Sequence, residues 1–262
     1  MQAVTGVFSS QAEAEQVVGK LQASGVRKDL VTLLRPGAKT ETQLESVPVD
    51  TAEQPGIGSA IGALVGGTTG LSAGLVAAAV PGVGMVTALG LLGAAFLTAA
   101  GAGLGAAVGG SLENKTSRGL PEDEIFVYED ALRRGRSVVV VLAEDGDEVD
   151  RVRELLKSQG AESVDAAREQ WWIGLRSAEQ EHYGKAGGKF TNDEKFYRMG
   201  FEAALHAKNR CREFDQVSSE MANHIEEVER AHPGEEVSDA FTRGYQRGRE
   251  YYERMCEESK AA

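Results

Sequence analysis

Residues 137–160 read SVVVVLAEDGDEVDRVRELLKSQG, and this stretch decides the fold. Positions 138–142 are an unbroken apolar, largely β-branched run, the pattern of a buried strand. Asp145-Gly-Asp-Glu148 then supplies a helix N-cap and its partner three residues later. Val149, Val152, Leu155 and Leu156 follow at helical spacing, and Gly160 stands where a left-handed stop ends such a helix.

The same phrase occurs near the start of the chain. Residues 3–8 are apolar and β-prone, Ser10-Gln-Ala-Glu13 repeats the capping box, and Ala14, Val17, Val18 and Leu21 form the apolar helical face before Gly25. At a constant offset of 135 residues Val4 matches Val139, Ser10 matches Asp145, Glu13 matches Glu148, Val17 matches Val152, Leu21 matches Leu156 and Gly25 matches Gly160. Residues 30–34 read as a second strand and residues 163–170 as a fourth. Two strand–helix–strand units in succession predict an α+β fold, a split ferredoxin-like domain. Pro121 and Gly135 bracket an additional amphipathic helix containing Phe126, Tyr128 and Leu132.

What splits the repeats is chemically unlike them. No Asp, Glu, Lys, Arg or His occurs in residues 54–112. Residues 57–80 and 83–108, as helices on either side of a Pro81-Gly82 turn, are each long enough to cross a hydrocarbon core of about 30 Å. Gly58, Gly62, Gly66, Gly70 and Gly74 fall four apart, and Gly93, Leu97, Gly101, Gly105 and Gly109 continue the spacing in the second segment. That is the small-xxx-small pattern through which membrane helices approach closely. The expectation is an inserted Gly/Ala-rich helical hairpin that self-associates, with membrane lipid as a partner. Both flanks belong to one domain and so lie on one side of a bilayer. Pro81-Gly-Val-Gly84 lacks the Lys-Ser/Thr ending of a phosphate-binding loop.

The expected domains are therefore 1–36 plus 121–172, the split α/β domain; 37–56, a linker; 57–110, the glycine-zipper hairpin; and 173–262, a charged helical region.

Taken together, Val4-Thr-Gly-Val-Phe8 with its Ser/Gln/Ala/Glu helix, the glycine ridge over residues 58–110 and the run Tyr128-Glu-Asp-Ala-Leu-Arg-Arg-Gly-Arg-Ser-Val-Val-Val-Val141 resemble the bacterial heat-induced general stress protein family. The resemblance covers about the first 170 residues. It implies a ferredoxin-like domain split by an apolar glycine-rich segment, association with stress, and a link to the bacterial inner membrane with the soluble regions cytoplasmic. It brings no catalytic residues and no cofactor.

In the last third, Tyr197-Arg-Met-Gly-Phe201 is echoed by Phe241-Thr-Arg-Gly-Tyr245, with Ala204 and Gly248 three residues further on. Tyr197, Gly200, Phe201, Phe241, Gly244 and Tyr245 thus form two units in which a bare glycine lets another helix come close between rings. The reading is a helix-packing or protein-interaction module, its two parts separated at His232-Pro-Gly234. Glu179-x-x-His182 and Glu229-x-x-His232 have the spacing of half a carboxylate-bridged di-iron bundle, and a site would need further carboxylates such as Glu202 or Glu220. A metal-binding ferritin-like module is accordingly the reading from another class, and a homo-oligomeric assembly with the hairpins in a shared apolar core is a third.

The net charge of −12 disfavours nucleic acid, whose phosphates demand a basic patch. The two cysteines, Cys211 and Cys256, lack CxxC spacing and fit a reducing compartment. The first residues lack the basic and apolar regions of a secretory signal. With neither cysteine in a nucleophile pattern, the chain reads as a non-enzymatic protein.

Overall fold

The computed structural model describes residues 2–37, 75–90, 92–101, 121, 123–185 and 187–261. The fold is α+β, with a five-stranded antiparallel sheet and eight helices among the described residues. These residues divide into two units, one drawn from Met1–Leu120 and Ala131–Ser163, the other from Pro121–Asp130 and Val164–Ala262.

In the first unit β1 (Gln2–Phe8) leads to α1 (Gln11–Ala23) and β2 (Val31–Pro36). After them come β3 (Leu75–Val80), β4 (Gly84–Leu89), α2 (Gly93–Ala99), α3 (Ile125–Arg133), β5 (Ser137–Ala143) and α4 (Gly146–Ser158). Residues of α3 are shared between the two units. The sheet order is β1-β5-β2-β4-β3.

The repeat is built as its sequence dictates. Ser10 Oγ accepts from the Glu13 N–H at 3.2 Å, and Asp145 Oδ1 accepts from the Glu148 N–H at 2.7 Å, each satisfying an orphan donor of its helix. Gly25 and Gly160 both adopt left-handed φ, +97° and +83°, and in each case the following N–H returns to a helix carbonyl, Val26 to Leu21 and Ala161 to Leu156. Val4 pairs with Val141, Thr5 with Val140 and Gly6 with Val139. Since Val140 lies 135 residues after Thr5, the repeats meet through a local two-fold passing through that pair.

One parity of the strands, Val4, Phe8, Val31, Leu33, Val139, Val141 and Ala143, packs against Ala14, Val17 and Leu21 of α1 and Val149, Val152 and Leu156 of α4. The other parity, with Thr32, Leu34, Val138, Val140 and Leu142, is equally buried. On that side the Leu92 N–H donates to Thr32 Oγ1 at 3.0 Å, and Gly90, at φ +116°, has no room for a Cβ against the Val31 carbonyl. A sheet covered on both faces explains why β5 is apolar from Val138 to Ala143.

Two expectations are corrected. Residues 163–170 are not a strand: α5 begins at Val164, and among the described residues the sheet continues beyond β1 only through the single bridge between Val7 and Glu162, with both N–H···O distances 2.9 Å. Val164, Ala167 and Trp171 are buried at helical spacing, and the intervening Ala, Arg, Glu and Gln carry little strand preference.

The second correction concerns Pro81-Gly82, which turns between β strands rather than between helices. Gly82 at φ +74° and Gly84 at φ +97° make a tight reversal, and Val80, Val83 and Val86 favour the extended state. Beyond β4, α2 contains Gly93 and Leu97 but ends before Gly101, which takes φ +79°. The second glycine ridge is therefore broken within its described part. Gly58, Gly62, Gly66, Gly70, Gly74, Gly105 and Gly109 lie outside the described residues. Among the described residues no helix is long and apolar enough to cross a membrane.

Candidate functional site

The second unit contains α5 (Val164–Lys185), α6 (Phe190–Leu205), α7 (Phe214–Ala231) and α8 (Val237–Ala261). The aromatic-x-x-Gly-aromatic units of the sequence meet each other here. A methyl built on Gly200 would overlap the Phe241 carbonyl, one on Gly244 the Tyr197 carbonyl, and one on Gly248 the Phe201 carbonyl. Helices α6 and α8 therefore touch backbone to backbone and run parallel, each glycine receiving the aromatic residue's peptide from the other copy of the motif. Tyr197, Phe201, Phe241 and Tyr245 are all buried at this contact, together with Gly200 and Gly244. The residues read from sequence as a helix-packing or interaction module pack helix on helix within the unit.

The rings extend into a stacked aromatic core. Trp171 meets Phe126 edge-on at 4.9 Å and Phe201 at 5.9 Å, while Tyr197 meets Tyr183 at 5.0 Å and Phe190 at 5.7 Å. Such edge-to-face pairs contribute about 0.5–1.5 kcal/mol each beyond their burial.

Against this core lies a charge cluster that sequence reasoning missed. Glu179 is 2% exposed. It accepts from the Tyr197 hydroxyl at 2.8 Å and from Arg247 in bidentate fashion, Nε at 2.9 Å and Nη2 at 3.0 Å. One turn earlier on α8, the Arg243 guanidinium lies 3.7 Å from the Tyr183 ring centroid and donates to the Tyr183 carbonyl at 3.0 Å. The Tyr183 hydroxyl donates to Asp193 at 2.9 Å. Burial raises the pKa of both phenols, with the Glu179 charge adding to the effect at Tyr197, so both remain protonated donors. Tyr183, Tyr197, Arg243 and Arg247, with His182, Gln246 and Glu250, line a cavity of about 170 Å³.

A larger groove of about 760 Å³ runs along α5 and α6. In it Arg176 grips Glu194 through two bonds of 2.6 and 2.7 Å, and Trp172 Nε1 donates to the same carboxylate at 3.0 Å. Arg198 bridges Glu202 and Glu169, both at 2.6 Å. Hydrogen bonding from Arg176 holds the Glu194 carboxyl below its ordinary range. The groove is thus lined by arginines already matched to carboxylates, with Ile173 protruding at 54% exposure.

No family model, curated protein or solved structure matches this chain. The functional reading therefore rests on the side chains themselves.

Among the described residues no group of three or more His, Cys, Asp or Glu side chains is placed to hold a metal ion. The four candidates are not brought together. Glu179 faces its three donors, and His182 is exposed. Glu229 is exposed as well, whereas the His232 ring accepts from Lys195 at 2.7 Å and donates through Nδ1 to the Val228 carbonyl at 3.0 Å. No local sequence signal ties Glu179 to Arg247, 68 residues away.

Proposed function

We propose that this chain is a non-enzymatic self-assembling protein, stress-associated as its layout suggests, with a ferredoxin-like α/β unit whose uncharged segment supplies the assembling surface. The ferredoxin-like reading is supported by the order Glu162 bridge, β1, β5, β2, all antiparallel, with α1 and α4 on one face.

The observation that carries the self-assembly reading is the outer strand. β3 is Leu-Val-Ala-Ala-Ala-Val, without charge or proline, and stands last in the sheet order among the described residues. Natural sheet edges are normally guarded by lysine, proline or a bulge, because an unguarded edge templates another strand. Ala79 of β3 and its partner Met85 on β4 are exposed, Met85 by 48%. A second copy of the chain is the partner that this surface suits.

Lipid association is a second reading, favoured by the 59 uncharged residues of 54–112. Its glycine ridge, Gly58 to Gly74 at four-residue spacing, would pack such segments together, and the soluble regions would face the cytoplasm. The helical unit then displays its α5–α6 groove to a protein partner. Fractionation of cells with and without detergent, followed by mass measurement, separates the readings. Recovery as an oligomer without detergent supports assembly through the sheet edge, recovery only with detergent supports lipid, and a monomer in both overturns the proposal.

A further inference from the structure

The segment joining α6 to α7 is tied to α8 along one stripe. The Tyr245 hydroxyl donates to the carbonyls of Asn209 at 3.3 Å and Arg212 at 3.2 Å. Arg249 pairs with Glu213, and the Arg210 guanidinium lies 4.7 Å from the Tyr252 ring centroid. Residues 245, 249 and 252 occupy one helical face, and the next position on that face is 256. Position 256 is Cys256, half-buried and hydrogen-bonded to Tyr252. The residue held between Arg210 and Arg212 is the chain's other cysteine, Cys211, which is exposed.

Cys211 is also the sole non-glycine residue with positive φ among the described residues, at +61°. A side chain kept in the left-handed region is held there by its surroundings at a conformational cost, and such positions concentrate at functional sites. The clamps on both sides of Cys211 are those surroundings.

We propose that Cys211 and Cys256 are a redox pair, closing to an intrachain disulfide when a hydroperoxide reaches the exposed Cys211 thiol. The Cys211 thiolate attacks the O–O bond; an S–O bond forms, the O–O bond breaks, and the departing alkoxide or hydroxide takes a proton from water. Cys256 sulfur then attacks the sulfenic sulfur of Cys211. The S–S bond forms as the S–O bond breaks, and the hydroxide leaves as water with the Cys256 proton. Two thiols lose two electrons and the peroxide gains them. Burial holds the Cys256 thiol above its ordinary value, which suits the resolving partner rather than the first nucleophile. The bond would fasten the 206–213 segment to the last turns of α8, in a protein otherwise free of covalent links.

The test is peptide mapping of the full chain after exposure to hydrogen peroxide and blocking of residual thiols. Trypsin cuts after Arg210, Arg212, Arg254 and Lys260, so the pair appears as the Cys211-Arg212 dipeptide joined to residues 255–260. Expected are loss of both free thiols together, that joined species from monomeric chain, and its reversal by dithiothreitol. C211S should leave Cys256 as a free thiol after the same treatment, and C256S should trap Cys211 as a sulfenic acid captured by dimedone. Independent oxidation of the two cysteines to sulfinic acid, or links only between chains, would overturn the proposal.

Discussion

Two glycine-rich regions of this chain carry similar spacing and fold differently. In the helical unit Gly200, Gly244 and Gly248 sit within helices and make a backbone contact between α6 and α8. In the uncharged region Gly82 and Gly84 instead reverse the chain between β3 and β4, and Gly101 lies past the end of α2. The difference lies in their neighbours. Around Gly200 and Gly244, charged residues alternate with aromatics and fix the helical phase, Arg198 and Glu202 facing the groove while Tyr197 and Phe201 face the core. Around Gly82 only Val, Ala, Pro, Met and Thr are present, and nothing sets a phase. Small residues at regular spacing define a packing surface only when other side chains first define the element.

The largest effect is expected where charge anchors the helical unit. Arg210 and Glu129 form a bidentate pair at 2.8 and 2.7 Å, with side chains 6% and 4% exposed. Glu129→Ala strands a buried guanidinium and should cost about 3–5 kcal/mol. Trp171 and Trp172 are the chain's two tryptophans and both lie buried in this unit, so denaturant titration followed by tryptophan fluorescence reads it directly.

Gly244→Ala should cost about 3 kcal/mol by the same measurement, because the new methyl meets the Tyr197 backbone and neither helix can withdraw cheaply. A neutral or stabilising result would mean that α6 and α8 do not touch as described, since alanine is the better helix former.

His206 supplies a pH dependence. Burial pulls its pKa down to about 4, below the ordinary value of 6.5. The unfolded chain therefore binds this proton at higher pH than the folded one. The His206 contribution should leave stability unaffected above about pH 6.5, erode it as pH falls towards 4, and then level off. His206→Gln should flatten that part of the profile.

The smallest effect carries the most information about the uncharged region. At φ +74°, Gly82→Ala should destabilise the β3–β4 hairpin by about 1 kcal/mol, seen as faster hydrogen exchange in residues 75–89. Were these residues helical, alanine would slow exchange there by a similar energy.

The repeat of the α/β unit was legible because caps and stops are local: Ser10 with Glu13, Asp145 with Glu148, and the two left-handed glycines each act within one turn of helix. The α6–α8 contact was legible as a motif, though its partner was not. Gly200 meets its counterpart some 44 residues later, so the motif pointed to helix packing or to a protein partner without saying which helix it packs on. The β3–β4 hairpin was misread because glycines four apart suggested a ridge, while the stronger signal was two glycines, 82 and 84, set among valines. Glu179 with Arg247 was invisible, since nothing in either neighbourhood specifies a partner 68 residues away. The fourth strand failed because Val164, Ala167 and Trp171 serve a helix.

The account turns on whether the outer strand mediates self-association. Sedimentation of the full chain beside A77K/A79K, which places two lysines on one face of β3 where natural edges carry such guards, tests this most directly. The account predicts an oligomer for the parent chain and a smaller species for the variant, each with unchanged tryptophan fluorescence. Equal masses for the two, whether monomeric or oligomeric, would contradict it.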